Sequence, residues 1–289
     1  MADGGGEPDV YSYEPFTRHG FYEEVNRRLV HRTVDLLPAP AAGGRLSVVD
    51  LGCGTGALIG ILAEALRERR LDAVITGVEP SPAALAVAER RLDGSATNVR
   101  LIHGDAVALA DLGPVDAVFF CNAIHLVRDK EAVVAAVARA LVPGGLFAMN
   151  SAFFAGAYAP GTEGFYRLWT ARALRRLRRQ HPDVRLARAQ RAPAMDWLSP
   201  EEYVALLGRS GLAVAHRLLD EVEMTLLSFQ DIGHYRLFIE GALPGAPLAA
   251  GAEALGHGAA EAFEELSLRS VRRRWLQLIA RVTMTSSPG

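Results

Sequence analysis

The chain of 289 residues has one lysine, Lys130, and two cysteines, Cys53 and Cys121. Two thiols cannot build a metal cluster and imply no disulfide framework. Each reads most simply as a small apolar residue. The scattered histidines lack ligand spacing, so no metal is expected. Neither sign of charge is in excess, since 31 basic and 33 acidic side chains leave a net charge of −2. Without a basic field or groove, a nucleic-acid partner is not expected. Apolar runs are broken well short of the ~20 residues that span a bilayer, so no membrane partner is expected either. The opening MADGGGEPDV is acidic and glycine-rich, the opposite of a secretory signal. These absences leave a soluble, cytoplasmic protein. Arginine in place of lysine fits a GC-rich genome, which weakens any argument from arginine count alone.

What is present is apolar and periodic. Half of the residues are hydrophobic, ample for a buried core. After a flexible lead-in over residues 1–10, a helix is expected from Gly20, and PAPAAGG then breaks the chain. From Leu46 short apolar runs alternate with amphipathic ones. LSVVDLG, AVITGVEP, VRLIHGD, VDAVFFCNAI and PGGLFAMNSAFF read as strands. Helices lie between them, one with Ser81 as N-cap and Pro82 at its first position. This rhythm predicts right-handed crossovers and a parallel sheet covered on both faces. Beyond Phe154 a helix over 163–181 stands outside the alternation. A helix over 199–211, a sixth strand from Leu212 and a seventh near Arg273 follow, with a mostly helical stretch over 228–267. The expected organisation is an N-terminal lid region (1–45), a core (46–154), a helical cap insertion (155–197), and the end of the sheet with its own helical insertion (198–289).

VVDLGCGTG sets an aspartate ahead of three glycines. Gly52, Gly54 and Gly56 let a backbone approach a ligand closely, but their spacing is tighter than the G-x-G-x-x-G that cradles a pyrophosphate. Asp50 would repel a phosphate; a ligand carrying an ammonium and hydroxyls would not be repelled. Glu79 ends the second strand, where a carboxylate can accept from both ribose hydroxyls. Asp105, in GDA after the third strand, can accept from an adenine amino group beside the Ala106 amide. Taken in order, VVDLGCGTG, GVEPSP, HGDAVAL, VDAVFFCNAIHLV and ALVPGG resemble the successive motifs of class I S-adenosylmethionine-dependent methyltransferases. The resemblance covers roughly residues 46–153. It implies a Rossmann-like seven-stranded sheet with its last strand antiparallel, and a cofactor lying across the strand ends. Asp50, Gly52, Cys53, Gly54 and Gly56 would lie near the methionine part, Glu79 and Pro80 near the ribose, and Asp105 and Ala106 near adenine. S-adenosylhomocysteine would be the coproduct.

Outside those motifs the candidates are individual side chains. Asn122 and His125 follow the fourth strand, Asn122 against the cofactor and His125 at the pocket mouth. Tyr13 and Arg18 belong to an aromatic lid, with Tyr13 facing the sulfonium through cation–π attraction. His125, Glu163 and His19 are the candidate bases. Tyr22, Phe154, Tyr158, Phe165, Trp169, Trp197 and His234 are the candidate lining of an apolar acceptor pocket. Arg172, Arg175, Arg176, Arg178 and Arg179 fall on most sides of their helix, as a solvated face would. Focused on one ligand, they would instead recognise an isoprenyl diphosphate. The leading expectation is O- or C-methylation of a small, largely apolar molecule of specialised metabolism, by a monomer or homodimer. A non-catalytic cofactor-binding scaffold and a nicotinamide reductase are the other classes the motifs admit.

Overall fold

The computed structural model describes residues 11–38, 44–93, 98–186 and 197–283. The lead-in 1–10 and most of PAPAAGG lie outside them. In chain order the elements are α1 (Glu14–Thr17), α2 (Gly20–Leu36), β1 (Leu46–Leu51), α3 (Ala57–Glu68), β2 (Ala73–Glu79), α4 (Pro82–Leu92), β3 (Val99–His103), β4 (Val115–Cys121), α5 (Lys130–Ala140) and β5 (Leu141–Ser151). Then come α6 (Glu163–Gln180), α7 (Pro200–Arg209), β6 (Leu212–Met224), α8 (Leu226–His234), α9 (Arg236–Ala242), α10 (Leu248–Glu265) and β7 (Val271–Val282).

The strands form one seven-stranded sheet in the order β3-β2-β1-β4-β5-β7-β6. The first five pair in parallel, and β7 runs antiparallel between β5 and β6. Parallel strands covered on both faces should be apolar throughout. Accordingly Val48, Val49, Val118, Phe119 and Phe147 are all buried. The edge strand β6 alternates instead between buried and exposed positions, and its outer carboxylate Glu221 pairs with Arg272 and Arg274 of β7 at 2.7 and 3.5 Å.

Local signals set the helix starts. Ser81 accepts from the Ala84 amide at 3.3 Å, with Pro82 next in the chain. Ser199 and Glu202 close a capping box at the head of α7, satisfying two amides that a helix start leaves unpaired. In the cap, Phe165, Trp169, Phe229 and Phe263 form one aromatic core between α6, α8 and α10. The sheet order reverses direction at β1, whose neighbours are β2 on one side and β4 on the other. Ligands of open α/β sheets bind outside the carboxyl ends of the strands at such a reversal.

Candidate active site

At that reversal the chain leaves β1 through three left-handed glycines, Gly52, Gly54 and Gly56, with φ of 68°, 52° and 78°. The Gly52 and Cys53 amides donate to the Val78 carbonyl at 2.7 and 3.1 Å, fastening the loop to β2. The three glycines serve different ends. A Cβ on Gly54 would meet nothing within 4 Å, so this backbone faces open space; one on Gly56 would meet Ala88 and Leu92 at 3.2 Å. Gly56 is therefore a packing glycine at the head of α3.

The loop borders a cavity of about 1500 Å³, larger than the ~300–1000 Å³ of a typical small-molecule site. Asp50, Gly52, Cys53, Gly54, Glu79, Pro80, Asp105, Ala106, Asn122 and His125 line it from the sheet side. Tyr13, Arg18 and Tyr22 line it from the N-terminal segment. Asp50 is 1% exposed and its Oδ2 has no hydrogen-bond partner. Burial first, and then the nearby Glu79, push its carboxyl well above the usual range. Buried carboxylate oxygens are normally satisfied, so this one points to a donor supplied by a ligand. Glu79 stands at the rim, held by the Gly54 amide on Oε2 at 2.9 Å and the Ser81 amide on Oε1 at 3.0 Å. Each oxygen keeps further acceptor capacity. Asp105 accepts from the Val107 amide at 2.8 Å and so caps its own turn while lining the cavity.

The far wall is built by Asn122, which sits at φ 50°. Its Oδ1 accepts from the Ala152 amide at 2.8 Å, and its Nδ2 donates to the Tyr13 hydroxyl. Asn122 thus ties the lid to the end of β5. Tyr13 packs on Phe16 and Tyr235, with ring centroids 5.1 Å from each, and burial raises its phenol far above the ordinary value. A contact the sequence reading missed is Glu14. It accepts from Thr55 Oγ1 in the glycine loop, from Arg91 at 2.5 Å and from Arg18 at 3.3 Å, latching α1 over the loop. Its signal was only that of one acid within the aromatic lid segment. Tyr235, Arg236 and Leu237 also line the cavity, from the expected helical stretch over 228–267.

The three candidate bases part company. His125 is 3% exposed on the cavity wall. Burial, then Lys130 and Arg273, hold its imidazole down at about 3, which leaves it neutral and a poor proton acceptor. His19 does not line the cavity; its Nε2 lies 2.8 Å from Asp231 Oδ2 and its Nδ1 3.4 Å from Ser228 Oγ, pinning the N-terminal segment to α8. Glu163 is exposed at the head of α6 and accepts from the Gly161 amide at 3.0 Å, outside the cavity lining.

Of the expected acceptor wall, only Tyr22 borders the cavity. Phe154, Phe165 and Trp169 are core residues, and the Trp169 indole donates to the Leu255 carbonyl at 2.8 Å. Their size and apolarity fitted a pocket and a core equally; packing between α6 and α10 uses Phe165 and Trp169 as core, and Phe154 joins the core shared with Tyr203 and Leu206 of α7. His234 stacks on Tyr11 at 5.0 Å, away from the lining. Tyr158 and Trp197 stand together, 5.8 Å apart, around Arg273. Of the α6 arginines, Arg172 is bonded to Glu265 and Arg176 lies 3.1 Å from Glu253, both on α10; Arg175, Arg178 and Arg179 are exposed. No group of three or more potential metal ligands occurs among the described residues. Nor, among them, is any helix long and apolar enough to cross a membrane.

A glycine loop, a buried acceptor at the end of β1 and a carboxylate at the end of β2 meet where Rossmann-like sheets bind their ligands. Residues 48–145 match a methyltransferase domain family. The ubiquinone biosynthesis O-methyltransferase of Thiobacillus denitrificans is 38% identical over 109 residues, which are 37% of this chain and 44% of that one. The trans-aconitate 2-methyltransferase of Methylobacterium nodulans is 34% identical over 116 residues, 40% and 42% of the two chains. The chain thus spans less than half the length of these curated relatives. Magnesium protoporphyrin IX methyltransferase of Synechocystis, solved with S-adenosylhomocysteine, is similar in fold over 96% of this chain and 90% of its own, with a TM-score of 0.52 and 16% identity. Over residues 48–145 the core of this chain is thus similar to a methyltransferase domain.

Proposed function

We propose that the protein transfers a methyl group from S-adenosylmethionine to a small, largely apolar organic acceptor, by O- or C-methylation in specialised metabolism. The observation that carries this reading is the buried, unpartnered Oδ2 of Asp50 beside a glycine loop that faces open space. An α-amino group is the donor that fits it. Glu79 would hold the ribose hydroxyls, and Asp105 with the Ala106 amide the adenine. S-adenosylmethionine supplies a methyl group already activated by its sulfonium. The acceptor atom forms its bond to that carbon as the carbon–sulfur bond breaks and the electron pair stays on sulfur. What the chain must do is align the reactants and exclude water, and alignment is worth up to ~7–11 kcal/mol in favourable systems.

The latch of Glu14 on Thr55 and Arg91, and the Tyr13–Asn122 bond, close one side of the cavity, as a lid that excludes water should. The cavity exceeds one ligand's needs and leaves space for an acceptor. The pairing of Arg172 and Arg176 with α10 acids gives no support to a diphosphate site on α6. Calorimetric titration with S-adenosylhomocysteine tests the reading. Wild type is expected to bind at micromolar concentrations and Glu79→Ala to lose binding. Binding of NADPH with none of S-adenosylhomocysteine would overturn it.

A further inference from the structure

Resting on that reading, we propose that Arg273 anchors a carboxylate on the acceptor, so that the substrate is an organic anion with an apolar, aromatic-sized body. Arg273 lies near the start of β7 and is 6% exposed. Its guanidinium carbon stands 5.0 Å from the Phe153 ring, 5.5 Å from Tyr158, 5.6 Å from Tyr166 and 5.9 Å from Trp197. Its Nε and Nη2 donate to the Ala152 carbonyl at 3.0 and 2.5 Å, and its Nη1 donates to the Tyr166 hydroxyl at 3.2 Å. All these acceptors are uncharged. The flanking Arg272 and Arg274 take Glu221 on the exposed face. No carboxylate among the described residues pairs with Arg273 on the opposite, buried face. An arginine does not shed its proton in a protein, and a buried charge without a counter-charge is strongly disfavoured. The rings offset that only in part. The guanidinium also has more N–H groups than these acceptors use, in the planar fork that carboxylates bind in bidentate fashion.

The box adjoins the cavity. The Phe153 ring is 4.3 Å from that of His125, and the Ala152 amide donates to Asn122 Oδ1 at 2.8 Å; His125 and Asn122 are both cavity wall. Arg273 is charged and near enough to contribute to the depressed imidazole of His125. Leu276 of β7 stands opposite Ser151, the last residue of β5, so Arg273 lies past the carboxyl end of β5, where the parallel strands deliver their ligands. Tyr158, 36% exposed and stacked on Tyr166 at 3.8 Å, covers the outer side of the box. It is the ring a ligand displaces to reach the guanidinium, leaving Phe153, Trp197 and Tyr166 to hold the apolar body.

The test uses the full chain saturated with S-adenosylhomocysteine, titrated with 4-bromobenzoate and with 4-bromobenzamide. Tryptophan fluorescence is followed, because bromine quenches an indole it touches and Trp197 is a wall of the box. Wild type is expected to bind the acid at least about tenfold more tightly than the amide, the value of one charge-assisted contact. Arg273→Gln should erase that preference and Arg273→Lys keep part of it, with S-adenosylhomocysteine affinity within about threefold throughout. Equal binding of acid and amide, no saturable quenching by either, or an acid preference that survives in Arg273→Gln overturns the proposal. If Arg273→Gln fails to fold, the wild-type acid-to-amide ratio and Arg273→Lys decide. Failure of wild type to bind S-adenosylhomocysteine would sink the methyltransferase reading instead, a separate result.

Discussion

Replacing Asp50 by asparagine should stabilise the empty protein while weakening its hold on the cofactor. Asp50 lies at the end of β1, 1% exposed, with Oδ2 unpaired. An ionised carboxylate in that position carries a desolvation penalty of several kcal/mol even after relaxation; protonation at neutral pH relieves it only at its own cost. Asparagine has nearly the same shape and no charge. A net gain of about 1–2 kcal/mol is expected, raising Tm by roughly 2–6 °C for a chain of this size. The same change removes the counter-charge for the ligand's ammonium, a contact of about 1.5–3 kcal/mol, so S-adenosylhomocysteine should bind roughly 10- to 150-fold more weakly. The pH dependence follows from the sign of the shift. A carboxyl whose folded value is raised stabilises fully only below its unfolded value, near 3.8, and loses that contribution as pH rises through the folded value. The Tm gap between the two proteins should therefore be smallest near pH 4 and widen as the pH rises. Thermal denaturation with and without ligand, and calorimetry, measure both effects. An unchanged affinity, or a lower Tm for the empty variant, would refute the reasoning.

Gly77→Ala should lower stability, because a Cβ there would stand 2.8 Å from Ile59 and Leu101 and 2.9 Å from Cys53. Overpacking of this kind costs about 1–3 kcal/mol, readable as a lower urea midpoint at constant m-value. Glu14→Gln should loosen the latch on Thr55 and Arg91. Since Arg91 is 31% exposed, the expected result is only about a two- to fivefold faster release of S-adenosylhomocysteine in stopped-flow. Arg172→Ala and Arg176→Ala break pairs with Glu265 and Glu253. They should cost at most ~1 kcal/mol and leave acceptor KM within about twofold, whereas a tenfold rise would bring back the diphosphate reading. His125→Asn should lower kcat less than the roughly 10²–10⁴-fold expected for a lost general base. With the imidazole held near 3, wild type should show no histidine limb between pH 6 and 8 in its rate profile.

The sheet was legible because its strands obey a period that burial on both faces imposes, and because β1 and β2 end in residues with a chemical reason to be there. Asp50, Gly54, Glu79 and Asp105 come to one cavity from the ends of β1, β2 and β3 by topology alone, since parallel strands bring their carboxyl ends to one edge. The acceptor side was hard to read for the opposite reason. Phe165 and Trp169 are as suitable for a core as for a pocket, and only the packing of α6 on α8 and α10 decides between them. Gly56 carries the same φ sign as Gly54 but serves a neighbouring helix. Arg273 was invisible because nothing in RRRW shows which of three consecutive arginines turns inward. Strand alternation sends Arg272 and Arg274 to Glu221 and the middle one into the rings, once the register of β6 on β7 is known.

The electrostatics of the wall bear on what limits the reaction. Burial raises Tyr13, Tyr22, Cys53 and Cys121 and lowers His125, so each of these groups is held in its neutral form across the physiological range. A wall of neutral donors and rings suits a reaction whose leaving group departs as a neutral thioether and whose reactants need alignment more than proton transfer. An acceptor whose nucleophilic atom is already ionised when it binds would need no base here. The pH dependence of turnover should then follow the ionisation of the acceptor itself, shifting from one acceptor to the next. A midpoint that stays fixed across acceptors of different acidity would mean that the protein supplies the base after all.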